Sequence, residues 1–302
     1  MKTLIFILLC GIAKGAGESE SLAMKLHDRI RDLSLTLLLL FLPVWQASAS
    51  EEQLPLWEVG VGAGAFSLPQ YMGSDERYTY PFVFPYLIYR GERWRLDRSG
   101  LRSRLFDLDR LSLDVSLSGG LPVKNSNRAR LGMPKIYLTG EIGPRINWLL
   151  SESESNRWSV HIPSRAAVNI RGRYVGWVTD PYLRYVHHHP VEHGKIRFKV
   201  DVGALYGSQR FHETYYGVDP IYSTVVRPAY RAKAGLHSLF AKARVVYPMT
   251  ETLGLFSSVQ YRSLSVGVVK DSPLVKQTGY TSIALGLIWR FSESDEKVII
   301  ND

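Results

Sequence analysis

The sequence predicts an all-β protein: a transmembrane, antiparallel, up-and-down β-barrel of about 12 strands. First, apolar and polar residues alternate over runs of more than ten residues, whereas strands of soluble proteins usually have about five or six. Second, each run has one apolar face that ends in aromatic residues and one charged face, as expected for lipid outside and a polar lumen inside. Third, long and short connections alternate along the chain.

The alternation is clearest over residues 136–148, where even positions carry no charge and odd positions include Glu141 and Arg145. The same two-residue period recurs in three further segments, 111–118, 196–206 and 282–291. A soluble β-sandwich also alternates in this way. The length of the runs and the aromatic ends of the apolar face favour the membrane barrel.

Twelve strands are predicted. They cover residues 57–67, 82–90, 93–98, 101–107, 111–121, 136–150, 157–170, 173–187, 195–207, 227–247, 253–266 and 279–291. The third and fourth strands are short, so ten strands are the alternative if these two do not cross the membrane. The long connections all follow odd-numbered strands and therefore lie on one side: 68–81, 122–135, 208–226 and 267–278. Barrels place long loops outside the cell and short turns in the periplasm.

Residues 1–49 are predicted to be a leader that is removed on export. The apolar run Ser34–Trp45 follows basic residues and precedes an A-x-A site, so cleavage is expected between Ala49 and Ser50. Met24 opens this signal peptide and is an alternative start site.

The mature chain is then divided into two parts. Residues 50–291 are predicted to form the barrel, and residues 292–302 an acidic periplasmic tail. Because the tail carries several Glu and Asp residues, we expect it to stay soluble and not to pair as a strand.

Charge and cysteine content exclude several classes of protein. The chain has 37 Lys and Arg residues against 28 Asp and Glu, a formal net charge of +9. The single cysteine, Cys10, lies in the leader, so the exported chain folds without disulfides. The positive charge suits outer-membrane lipid and lipopolysaccharide as partners. Nucleic acid is not expected as a partner of an exported protein.

No catalytic, cofactor-binding or metal-binding residues are predicted, and the protein is not expected to be an enzyme. Neighbouring strand residues point to opposite faces, so His187-His188-His189 is interpreted as a solvated turn rather than a metal site. Ser159 and His161 face the predicted lumen, in the reverse order of the His-x-Ser of outer-membrane lipases. The arginine-rich stretch 90–110 is interpreted as a salt-bridged lumen wall.

The last predicted strand carries a possible assembly signal. Gly286, Trp289 and Phe291 resemble the G-x-x-aromatic-x-aromatic ending that the outer-membrane assembly machinery reads. The sequence departs from this pattern at Ala284, where a polar residue is usual, and in the eleven residues that follow Phe291.

Several short motifs keep their order along nearly the whole mature chain. They are Tyr71-Met72-Gly73-Ser74-Asp75, Pro81, Glu141-Ile142-Gly143-Pro144, Tyr215-Tyr216-Gly217-Val218, Arg227-Pro228-Ala229-Tyr230 and Asp271-Ser272-Pro273-Leu274-Val275. Together they resemble the MipA/OmpV family of outer-membrane barrels. The resemblance assigns a structural or partner-contact role to Tyr71, Gly73, Ser74, Asp75, Pro81, Gly143, Pro144, Tyr216, Gly217, Asp271, Ser272 and Pro273.

The resemblance implies a scaffold or structural protein in the outer membrane of a Gram-negative type cell. The family's namesake is a partner of the lytic transglycosylase MltA and links a murein hydrolase to a murein synthase. A lytic transglycosylase and a murein synthase are therefore the implied partners, and no cofactor is implied. Two alternatives stay open: a narrow pore for small solutes, and a surface adhesin that uses the long loops.

Overall fold

A computed structural model describes residues 53–91, 94–97, 100–103, 106–108 and 110–299, with side chains over 54–91 and 110–298. The predicted leader, with Met24 and the cleavage site between Ala49 and Ser50, lies outside these residues and stays a prediction. No helix within the described ranges is long and apolar enough to cross a membrane.

Antiparallel strands make up most of the described chain. They are β1 (Gln53–Pro55), β2 (Trp57–Pro69), β3 (Arg77–Arg90), β4 (Trp94–Asp97), β5 (Gly100–Ser103), β6 (Phe106–Leu108), β7 (Leu111–Gly120), β8 (Thr139–Glu152), β9 (Asn156–Asn169), β10 (Tyr174–Thr179), β11 (Tyr182–Val191), β12 (Gly194–Gly207), β13 (Gly235–Pro248), β14 (Leu253–Ser263), β15 (Gly279–Glu293) and β16 (Lys297–Ile299). One α-helix, α1 (Gln209–Tyr216), begins after Ser208, whose hydroxyl accepts a hydrogen bond from the Phe211 amide.

The strands are hydrogen-bonded in an up-and-down order. The main sheet runs β5-β4-β3-β2-β15-β14-β13-β12-β10-β9-β8-β7-β6, so β2 pairs with β15, the first long strand with the last. Strands β10 and β11 both lie between β9 and β12 and form one strand that is interrupted at Asp180-Pro181. At the ends of this path, β6 pairs with β7, and β5 also lies within 8 Å of β7.

Ten predicted strands appear at full length, counting β10 and β11 as one. The described parts of the predicted strands 93–98 and 101–107 are the short segments β4, β5 and β6, each of three or four residues. A strand needs about 9–11 residues to cross a bilayer. The described strands therefore match the ten-strand alternative.

The structure corrects the prediction for the acidic tail. Lys297–Ile299 forms β16 and pairs antiparallel with β1, Gln53–Pro55. Three of the carboxylates of the tail precede Lys297, and the β-branched residues Val298 and Ile299 that come next favour a strand. The expectation that the tail would not pair as a strand is therefore wrong.

The two faces of the strands divide as the alternation predicts. On the outer face, Ile142, Val202 and Leu285 are 55%, 54% and 52% exposed. On the inner face, Asp114 and Arg145 are only 4% and 7% exposed. Apolar side chains thus cover the outside of the sheet and charged side chains its inside, which is the arrangement of a barrel in lipid.

We expect Val202→Arg to impair barrel assembly because it places a charge on the outer face near the middle of β12. An arginine facing lipid costs about 2–4 kcal/mol at the bilayer midplane. The measurement is the heat-modifiable folded fraction in outer-membrane preparations. Lys199→Ala, on the inner face of the same strand, is the matched control and should assemble normally. Equal losses in both variants would mean that the faces are assigned one residue out of register.

Candidate functional site in the loop cap and the lumen

The long connections fold into one packed unit, called here the loop cap: residues 70–76, 121–138, 208–234 and 264–278. Its core combines loop residues with strand residues, namely Tyr71, Val123, Ile136, Phe211, Tyr215, Tyr216, Ala232, Leu264 and Val269 with Ala167, Val175, Val178, Leu205 and Tyr280. Because these loops bury an apolar core, predicted strands 136–150 and 227–247 begin later, at Thr139 and Gly235.

Hydrogen bonds of the family-motif residues join the loops of the cap. The Tyr71 hydroxyl donates to the Leu274 carbonyl at 2.6 Å. The Ser272 hydroxyl donates to the Tyr216 carbonyl at 2.7 Å. Ser74 is fully buried and accepts from the Asn127 amide at 3.3 Å. These contacts connect all four segments of the cap, so the motif residues within it have a structural role.

Tyr216 connects the cap to the lumen and is fully buried. Its hydroxyl donates to the Met72 carbonyl at 2.9 Å, so it accepts from Nε2 of His237 at 2.7 Å. Nδ1 of His237 then accepts from the Ser238 hydroxyl at 2.8 Å. Ser238 in turn accepts from Nη1 of Arg262 at 2.7 Å. A chain of hydrogen bonds thus runs from loop backbone to a lumenal guanidinium.

Two motif glycines are required by the backbone of the cap. Gly73 has φ +93°, and its carbonyl accepts from the amides of Lys276 and Gln277 at 2.8 and 3.1 Å. Gly217 has an ordinary φ of −67°, but a Cβ there would lie 2.6 Å from the Glu213 carbonyl oxygen. Gly73 is needed because its φ is positive, and Gly217 is needed because a side chain there would clash with the Glu213 carbonyl.

The remaining motif residues lie elsewhere. Pro81 is in β3, and Gly143 and Pro144 are in β8. Asp75 and Asp271 are exposed on the cap, and Pro273 is partly buried there. Asp75 lies 3.5 Å from Arg128. Among the motif residues of the cap to which the resemblance assigns a role, Asp75 and Asp271 are the ones most accessible to a partner.

Two arginines also hold the cap together: Arg130, which the sequence analysis did not single out, and Arg227 of the Arg227-Pro228-Ala229-Tyr230 motif. Nη1 of Arg130 donates to the Tyr215 carbonyl at 2.7 Å, and burial lowers the pKa of this guanidinium. Nη1 of Arg227 donates to the carbonyls of Ala129 and Leu131 at 3.1 and 3.0 Å. Because these contacts join residues about a hundred positions apart, local sequence patterns give no signal for them.

His212 is a second feature that the sequence did not reveal. It lies in α1, is fully buried, and donates from Nδ1 to the Lys233 carbonyl at 2.6 Å. Its ring centroid is 5.4 Å from that of His237. Within the described chain its Nε2 has no hydrogen-bond partner. Burial lowers the pKa of His212, so the ring is neutral in the folded cap.

The lumen below the cap is crossed by buried ion pairs between neighbouring strands. Arg145 pairs with Asp114 through two bonds of 2.8 and 2.6 Å. Arg184 pairs in the same bidentate way with Asp201 at 2.7 and 3.0 Å, and Arg244 reaches the same carboxylate at 2.5 Å. A further set of ion pairs joins Arg165 to Glu141 and Asp180. Paired charges are the form in which ionised groups tolerate burial.

A separate cluster lies at the turn end, where the short connections are. Glu58 is 3% exposed and pairs with Arg90 and, at 3.3 Å, with Arg290. The Tyr86 hydroxyl donates to the same carboxylate at 2.9 Å. Arg90 thus forms part of a salt-bridged lumen wall, as predicted, whereas the side chains of residues 92–109 lie outside the described part.

Ser159 and His161 face the lumen as predicted. Nε2 of His161 is 2.8 Å from the Ser159 hydroxyl, and Nδ1 is 2.7 Å from Oδ1 of Asn147. This resembles the order of nucleophile, base and orienting group in hydrolases. Ser159 is only 6% exposed, however, and the His161 ring stacks on Tyr182 with centroids 4.8 Å apart. The contacts therefore fit a lumen wall better than an open active site.

The histidine run is corrected in one respect. His187, His188 and His189 lie within β11 and pair with β12, so they do not form a turn. The turn comes later, at Glu192 and His193. In the described part of the chain, no group of three or more His, Cys, Asp or Glu residues is placed to hold a metal ion.

Comparison with known proteins agrees with this architecture. A family model described as "MltA-interacting protein MipA" matches residues 61–291. The chain belongs to the MipA family. The resemblance seen in the sequence motifs is thereby confirmed, and the matched region covers β3 to β14 and most of β2 and β15.

Two named relatives are outer-membrane proteins by their descriptions. The chain is 23% identical over 256 residues to "Putative outer membrane protein YiaT" of Escherichia coli K12, covering 83% of this chain and 96% of that protein. The protein of the same name in Escherichia coli O157:H7 gives the same values. A NanC porin structure is similar over 77% of this chain and all of that one, with 6% identity and a TM-score of 0.35. This MipA family member is an outer-membrane β-barrel protein.

Tyr216→Phe should loosen the cap while the barrel stays folded. The variant leaves the Met72 carbonyl and Nε2 of His237 without their partner, which costs about 1–3 kcal/mol. Limited proteolysis of the detergent-solubilised protein should cut the cap loops faster, with unchanged heat-modifiable migration. Tyr222→Phe, at a half-buried position between exposed neighbours in the cap, is the control. Unchanged loop cleavage in Tyr216→Phe would contradict the role assigned to this hydroxyl.

Acidification should loosen α1 through His212. Its folded pKa is lowered, so the full stability is present above the unfolded pKa of about 6.5 and is lost as the pH falls below it. Hydrogen exchange of the amides of residues 209–216, corrected for its intrinsic pH dependence, should therefore speed up between pH 7 and pH 5. His212→Gln removes the titrating group and should reduce this effect. The same pH response in the variant would show that another group is responsible.

Proposed function

We propose that this MipA family member is a non-enzymatic scaffold of the outer membrane that holds murein enzymes at its turn end. The family description names an interaction with MltA, and the motif resemblance implies a lytic transglycosylase and a murein synthase as partners. Short turns of outer-membrane barrels face the periplasm, which is where enzymes that act on murein can reach them. The observation that carries the proposal is the pairing of the two chain ends at this side.

The two chain ends form a small sheet, called here the terminal ladder, from β1 and β16. Gln53 pairs with Ile299 and Pro55 with Lys297. The amide of Leu56 donates to the Glu296 carbonyl at 2.8 Å. Among the described residues, no strand lies beside the outer edge of β16, and an open edge can accept an extended segment of a partner by strand addition.

The cluster around Glu58 supports the terminal ladder from the barrel side. Arg90, which pairs with Glu58, also donates from Nη1 to the Pro55 carbonyl at 2.6 Å. The Ser294 amide donates to the Trp57 carbonyl at 3.0 Å, just before β16. The ladder is thus tied to the buried charge cluster, which favours a defined docking surface over a free tail.

The lumen favours a scaffold over a wide pore. The side chains of Asp114, Arg145 and Asp201 retain 6%, 9% and 6% exposure, and each takes part in an ion pair. Long charged side chains that point into the lumen and pair along its wall narrow the space left for a water path. The loop cap, with its own apolar core, lies over the other end.

The proposal is tested by measuring binding of a purified lytic transglycosylase to the full-length barrel in lipid nanodiscs. Deletion of residues 297–302 removes β16 and should weaken binding at least about tenfold, the loss expected when a main-chain pairing edge and its contacts disappear. The matched control is the double change Val225→Ser and Val226→Ser at the opposite, loop end, where both side chains are exposed. This control should bind normally.

Two results would overturn the scaffold proposal. One is the absence of binding to the wild-type barrel in either membrane orientation. The other is undiminished binding after deletion of residues 297–302, combined with a loss in the loop-end control. That second pattern would place the partner outside the cell and favour the adhesin alternative.

A further inference from the structure

The lumen contains more cations than its carboxylates can neutralise. Besides the ion pairs described above, two cationic side chains point into it from neighbouring strands: Lys242 of β13 and Arg262 of β14. Among the described residues, Lys242 has no hydrogen bond or ion pair within range, and Arg262 has no ion pair with a carboxylate. The carboxylates that act on them, Asp201 on Lys242 and Asp180 on Arg262, already form ion pairs with other arginines.

Burial makes this imbalance costly. Arg262 is only 9% exposed, and its Nε has no hydrogen-bond partner. The Arg262 guanidinium donates a hydrogen bond to Ser238, and its Cζ lies 4.9 Å from the centroid of the Phe240 ring. A buried charge without a counter-charge is strongly unfavourable, so a buried guanidinium in this setting calls for an anion.

The strand register places the two cations side by side. Lys242 lies opposite Gln260, and Phe240 lies opposite Arg262. Lys242 and Arg262 are therefore diagonal neighbours on the same face, about 7–8 Å apart in Cα position, which long side chains can bridge. An anion between them would be held from both sides.

A third cation, Arg244, lies on the other side of Lys242 from Arg262. Nε of Arg244, two positions from Lys242 on β13, is buried and has no hydrogen-bond partner. The carboxylate nearest to it, on Asp201, is already shared between Arg244 and Arg184. Asp201 thus cannot balance Lys242 as well. The Arg244 side chain retains 25% exposure, so solvent ions can reach this part of the lumen.

We propose that the lumen holds a small oxyanion or carboxylate between Lys242 and Arg262, with the Gln260 amide as a further donor. A phosphate or a carboxylate group accepts several hydrogen bonds at once and forms its strongest ones with guanidinium and ammonium groups. The site lies within the lumen, so it is separate from the terminal ladder and does not depend on the scaffold proposal.

The test is isothermal titration calorimetry of the purified full-length barrel in non-ionic detergent at low ionic strength. Inorganic phosphate and acetate are titrated separately, so that the tighter ligand identifies the oxyanion or the carboxylate class. Wild type should bind at least one of them and should unfold at a higher temperature in its presence. Lys242→Gln should weaken binding at least about tenfold by removing one charge-assisted contact. Lys242→Arg, which keeps the charge, should retain binding.

A second variant keeps the proposal testable if Lys242→Gln does not fold. Gln260→Glu adds a carboxylate directly opposite Lys242 with almost no change in shape. It should unfold at a higher temperature than wild type without added anion, and it should lose the stabilisation by phosphate or acetate. Lys270→Gln, exposed on the loop cap, is the charge control and should bind as wild type does. The proposal is wrong if wild type binds neither anion, or if Gln260→Glu binds them unchanged.

Discussion

The two-residue period of the strands is the constraint on which the rest of the structure depends. Because neighbouring side chains point to opposite faces, each strand must match lipid on one side and the lumen on the other. Asp114, Arg145 and Asp201 therefore lie inside, where they have to find partners. The ion pairs across neighbouring strands satisfy this demand, and they hold the register of the sheet at the same time. A shift of one residue would expose every one of them to lipid.

The two ends of the barrel strands are stabilised by different kinds of interaction. At the loop end, apolar and aromatic residues such as Tyr216 build a core that does not rely on the membrane. At the turn end, the charge cluster around Glu58 and the terminal ladder join the two ends of the chain. The two surfaces that face water are thus built from different interactions, one mainly apolar and one mainly ionic. Partner molecules on the two sides of the membrane would therefore meet chemically different surfaces.

The sequence allowed the strands and their faces to be predicted because alternation is a local property of the chain. It did not allow the cap to be predicted, because its contacts join distant residues: Tyr71 and Leu274 are 203 positions apart. The motif residues Tyr71 and Tyr216 fill the core of the cap, and their place there could not be read from the motifs. The interruption at Asp180-Pro181 was also missed, although proline has no amide hydrogen to donate to a ladder. The pairing of His237 with Tyr216 depends on the cap and had no local signal.

The pairing of β2 with β15 has a consequence for how the protein is made. These strands lie near opposite ends of the described part of the chain, so the sheet cannot be completed until the last long strand has been synthesised. Bringing such distant segments together carries an entropic cost that local hairpins do not have, and contacts of this kind form slowly. Chains that end prematurely would keep an unpaired edge at β2 and remain open to pairing with other chains. Completion of this sheet therefore depends on the last long strand, β15.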